Sequence, residues 1–101
     1  MNVTATLKLI ETDFVRAAMS RRKTHCLYAK IMGDSLGRFD SGDTIFTSNV
    51  ERVEVINDVV YAITHTGSVY QLEGVNQATV DGMCERAALN GITIMRMTST
   101  V

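Results

Sequence analysis

A chain of 101 residues with 46% hydrophobic and 21% charged side chains has the composition of one folded domain, 1–101, and not of a disordered segment. Ten Lys and Arg against eleven Asp and Glu leave a net charge of −1, which argues against broad nucleic-acid binding. Two cysteines in separate segments are too few for a disulfide scaffold, no signal-peptide core follows Met1, and no apolar run approaches the ~20 residues that span a bilayer; the expectation is a reduced, intracellular protein with no membrane partner.

Residues 3–10 (VTATLKLI) open with alternation and β-branched side chains and predict a strand. TDFVRAAMSRR, residues 12–22, offers Thr12 as an N-cap, Asp13 in the first turn and Arg21 and Arg22 at the far end, which predicts a short helix. CLYAKIM alternates again and stops at Gly33-Asp34, and SLGRFDSGD is a turn-rich connector. TIFTSNV is strongly β and reads on through ERVEVI to Asn57-Asp58, a short hairpin turn ahead of VVYAIT. A further turn at His65-Thr66-Gly67 leads into SVYQLE. On these strands Tyr61 and Ile63 share a face that reads as core.

The last third changes period. VNQATVDGMCERAALNG has Asn76 as N-cap, Val80, Cys84 and Ala87 on one stripe and Asn90-Gly91 as the stop. ITIMRM is a closing strand, with Ile92, Ile94 and Arg96 on one face. The fold class is α+β: an antiparallel β-meander sheet with one main C-terminal helix packed on it and a final short strand.

Catalysis finds no support in the residues. His25 and Cys26 are neighbours whose side chains point to opposite faces of a strand, His65 lies in a turn, and no nucleophile elbow, Walker loop or dinucleotide fingerprint occurs, so an enzyme is not expected. His25, Cys26, His65 and Cys84 lack metal-knuckle spacing, and Asp34, Asp40 and Asp43 do not match a calcium loop; neither a metal nor a cofactor is expected. Anion binding is better supplied. Arg38, Arg52 and Arg96 carry planar forks suited to phosphate, and the hydroxyls of Thr47, Ser48 and Thr98 can complete a site. Phe39, Tyr61 and Tyr70 can stack on a base, and the helix start at Asn76 presents free N–H groups. Taken singly, each arginine is better explained as a solvated surface charge than as a ligand contact.

The run AKIMGDSLGRFDSGDTIFTSNVERV followed by VVYAITHTGSVYQLEG, residues 29–74, resembles a pattern found in small phage-encoded proteins. The layout of sheet, helix and last strand is similar to a Thoeris anti-defence family, whose members are non-enzymatic, oligomeric sponges for cyclic nucleotide signals such as cyclic ADP-ribose isomers. The resemblance implies a homo-oligomer in the host cytoplasm with a small nucleotide-derived ligand, and carries over Tyr70, Asn76 and Arg96, then Arg38 and Thr98, as ligand-binding residues. The alternative is a phage-encoded inhibitor that docks on a host protein through a strand edge or helix face.

Overall fold

The computed structural model describes residues 2–16 and 24–97. Seven strands and one helix follow in the order β1 (Ala5–Leu9), β2 (Tyr28–Met32), β3 (Thr44–Phe46), β4 (Val50–Ile56), β5 (Val59–Thr64), β6 (Val69–Glu73), α1 (Gln77–Leu89) and β7 (Thr93–Met97). The strands form one sheet in the order β3-β2-β1-β6-β5-β4-β7.

The class is α+β, as the sequence predicts, but the sheet is mixed and not a simple antiparallel meander. β4, β5 and β6 are the meander, closed at Asn57-Asp58 by a turn with φ of 50° and 66°, the left-handed pair that a two-residue hairpin requires. β1 then joins β6 in parallel, and β7 joins β4 in parallel after α1 has crossed over the sheet. The alternation of apolar residues cannot distinguish these joins, because a strand buries the same face whichever way its neighbour runs.

Two local expectations are corrected. TIFTSNVERVEVI is not one strand: it breaks at Thr47–Asn49, and its halves are β3, at one end of the strand order, and β4, five places along it. The Thr47 hydroxyl accepts a hydrogen bond from the Leu27 amide at 2.9 Å and donates to the Ser48 carbonyl at 2.8 Å, so it organises this crossover instead of facing a ligand. The helix expected over 12–22 does not begin at Thr12. Val15 exchanges both backbone hydrogen bonds with Cys26 as an antiparallel bridge, and the Asp13 carboxylate is held by the Phe14 amide and the Arg86 guanidinium. The remainder of that segment, residues 17–22, lies outside the described residues.

The core occupies one face of the sheet. Ile31, Leu7, Leu72, Val60 and Val55 stand in register across five strands, and each fully buried member contributes about 1.5–3 kcal/mol of apolar burial. Val80, Met83, Cys84 and Ala87 of α1 close over that face. Asn76 caps the helix by accepting from the Thr79 amide at 2.8 Å, and Gly91, at φ 75°, ends it. At Gly82 a Cβ would stand 3.0 Å from an Arg86 guanidinium nitrogen, and Arg86 uses that room to reach Asp13 and the Thr12 carbonyl. No helix among the described residues is long and apolar enough to cross a membrane.

Candidate functional site

The connector between β2 and β3 is knotted on Asp34. Its carboxylate accepts from the backbone amides of Leu36, Arg38 and Phe39 and from the Arg38 guanidinium at 3.3 Å through two nitrogens. Burial acts to raise the Asp34 carboxyl, but the hydrogen bonds from Arg38 and Leu36 outweigh it and hold the group below the usual carboxylate value. Arg38 also donates to the Tyr70 hydroxyl at 3.2 Å and lies over the Phe39 ring at 5.4 Å. Two predicted ligand residues, Arg38 and Tyr70, are thus brought together, yet as an internal tie: Tyr70 is buried in the core and the Arg38 fork is engaged by Asp34.

This knot has a pH signature. A carboxyl whose pKa is depressed by folding contributes stability above its unfolded value of ~3.9, and that contribution is lost as pH falls through the folded value. The protection factors of the Leu36, Arg38 and Phe39 amides should therefore fall selectively on acidification below ~4, and Asp34→Ala should show the same low protection already at neutral pH. Protection that is independent of pH and of Asp34 would contradict this account.

Arg96 points to the helix side of β7, where it donates to Asp81 at 2.7 Å; Gln77 donates to the same carboxylate oxygen at 2.9 Å. The Arg96 and Gln77 hydrogen bonds hold the Asp81 carboxyl below its usual value. The adjoining cavity, between Val55, Asp58, Gln77, Arg96 and Met97, measures about 100 Å³, well short of the ~300 Å³ from which small-molecule pockets start. Asn76 spends its side-chain oxygen on the helix cap. Thr98 lies outside the described residues. Tyr70 on β6 is three strands from Arg96 on β7, about 14 Å laterally, so the candidates separate into two places, not one pocket.

The histidines, far apart in sequence, border one cleft of about 290 Å³ with Asn49, Glu51, Asn90 and Gly91. Asn49 assembles it: its side-chain oxygen accepts from the His25 amide and its carbonyl from the His65 amide, both at 3.0 Å. Among the described residues no three His, Cys, Asp or Glu side chains group so as to hold a metal ion.

The sheet face opposite α1 carries chemistry that the sequence reading missed. On it Lys8 stands directly across from Lys30, with Thr44 beyond Lys30 and Glu73 beyond Lys8. Neither lysine forms an ion pair among the described residues. Like charges directly opposed on a sheet repel, so this pair is a local cost. One step along the same face Tyr28 opposes Phe46, and their rings stack at 4.6 Å with 29° between planes. The signal was in the alternation: TLKL and YAKIM send their lysines to the face opposite Leu7 and Ile31. Tyr61 and Ile63 also lie on this open face, half-buried, which corrects their expected place in the core. Next to them Arg52 donates to Glu54 at 3.0 Å.

Compared with protein-family models, curated proteins and solved structures, the chain matches none.

Proposed function

We propose that the chain is a binding protein with no reaction of its own, which takes up a nucleotide-derived anion on its open sheet face. The observation that carries this reading is the Lys8–Lys30 couple, without an ion pair among the described residues, beside the stacked Tyr28–Phe46 rings. Two ammonium groups side by side are suited to a phosphate, and ring faces one pleat away, ~7 Å along the strand, suit the attached base. The reading keeps the ligand class that the resemblance to phage anti-defence sponges implies, a cyclic nucleotide signal captured in the host cytoplasm, and moves its site. Arg38, Tyr70, Asn76 and Arg96 become structural residues in it.

The test uses the absence of tryptophan and the presence of only three tyrosines, which leave the protein weakly absorbing at long wavelength. Protein purified from cells making the signal should carry excess nucleotide absorbance, released on denaturation and identified by mass spectrometry. Apo protein should gain thermal stability with cyclic ADP-ribose isomers or cyclic oligonucleotides. Protein that carries nothing and responds to none of these probes would overturn the proposal.

A further inference from the structure

Chemistry is also left unused at the cleft beside the histidines. It lies where β4 begins, between the turn that follows β5 and the loop from α1 to β7. Its frame is main chain: the Val50 amide donates to the His25 carbonyl at 2.9 Å and the His65 amide to the Asn49 carbonyl at 3.0 Å. Glu51 stands at the register shift of the β4–β5 ladder, between Val50 and Arg52. Such a bulge re-aims a side chain, and here Glu51 borders the cleft.

The groups around the cleft are mostly acceptors. The Glu51 carboxylate and the His65 ring, both exposed, make no side-chain hydrogen bond or ion pair among the described residues. The Asn90 side-chain nitrogen donates to the Arg86 carbonyl at 2.8 Å, which leaves its oxygen available. A neutral imidazole keeps one bare lone pair, so His65 adds a further acceptor. α1 ends at the rim on its cap Asn90, and the negative end of its dipole lies there. No Lys or Arg lines the cleft among the described residues; Arg86, the basic residue of the last helical turn, is engaged by Asp13 and the Thr12 carbonyl. A cation is the complement of such a wall. The buried Val50 and Ile92 line it too, so the complement has a hydrocarbon part. A metal ion is the poorer match, because no three ligating side chains group among the described residues.

We infer that this cleft binds a small aliphatic amine. Its ammonium, with three N–H donors, meets Glu51, the Asn90 oxygen and an imidazole, and its carbon chain lies against Val50 and Ile92. At about 290 Å³ the cleft is just under the ~300 Å³ from which small-molecule pockets start, which restricts the ligand to a short chain of the alkyl-diamine class. The site has the opposite charge preference to the Lys8–Lys30 face and uses other strands, so either reading can fail alone.

An amide NMR titration at low ionic strength, with putrescine as the probe and butanol as its uncharged counterpart, tests the inference. Putrescine should shift the amides of Glu51, His65, Asn90 and Gly91 together and saturate with a Kd of about 1 mM or tighter, while butanol leaves them in place. Glu51→Gln, at an exposed position and of nearly the same shape, should weaken putrescine about 10-fold or more, and His65→Ala about 2-fold or more. Glu85→Gln, which removes an exposed carboxylate of α1 away from the cleft, should bind as the wild type does. A titration that stays linear to about 10 mM overturns the proposal. So does an unchanged affinity in Glu51→Gln. Shifts of equal size beside the exposed carboxylates of Asp40 and Glu73 overturn it as well, since they would reduce the effect to general attraction between amine and surface charge.

Discussion

Leu7→Ala should lower the unfolding free energy by about 2–5 kcal/mol, the largest single loss expected from the sheet. Leu7 is fully buried at the middle of β1, with Ile31 of β2 on one side and Leu72 of β6 on the other. β1 is the strand that joins the β2–β3 part of the sheet to the meander, so a cavity at Leu7 weakens the seam between them. Chemical denaturation should show an earlier midpoint at unchanged slope. A loss below about 1 kcal/mol would mean that the two parts do not share one cooperative core at this residue.

Neutralising both lysines of the open face should separate stability from binding. In K8Q/K30Q the repulsion between directly opposed ammonium groups disappears, and the fold should gain about 0.2–1 kcal/mol. The same change removes two charge-assisted contacts to phosphate, each worth about 1.5–3 kcal/mol, so affinity for a nucleotide ligand should fall at least ~100-fold. Calorimetric titration and thermal melting on one preparation read both effects. Binding that survives the double substitution would move the ligand away from this face, and a melting temperature that drops would mean that the lysines make contacts the fold needs.

The elements themselves were largely legible. The α1 boundaries followed from Asn76 and Asn90-Gly91, since a cap is a local hydrogen-bond requirement that a few residues state by themselves. The Asn57-Asp58 turn was legible for the same reason. What failed was non-local. Nothing in ATLKL says that β6 will be its parallel neighbour, and nothing in Thr47–Asn49 says that the strands on either side of it will not be neighbours in the sheet. The segment from Thr12 had good helix signals but lost its first turn to a bridge with Cys26 and to Arg86, partners 11 and 73 residues away. The surroundings of the candidate site residues were hidden for a different reason. Arg38, Asn76 and Arg96 have the right chemistry for an anion, but each has an acceptor or donor of its own nearby, in Asp34, the Thr79 amide and Asp81. Charge type is written in a sequence; whether the charge is already spent is decided by the fold. Lys8 and Lys30 were overlooked because each looks like an ordinary outward residue until the register sets them side by side.

The parallel union of β1 with β6 also governs the order in which the chain can assemble. The hydrogen bond from the Val69 amide to the Thr4 hydroxyl spans 65 residues, and the ladder beside it closes a loop of similar size. The entropy of closing such a loop is met before any of the seam's contacts exist, which slows collapse relative to folds of local pairings. β4, β5 and β6 need only short turns to find one another, whereas β1 has to wait for β6, five strands later in the chain. Until then the β6-facing edge of β1 is unpaired and its apolar face uncovered by the meander, so the hazard of misassociation during folding is concentrated at that edge.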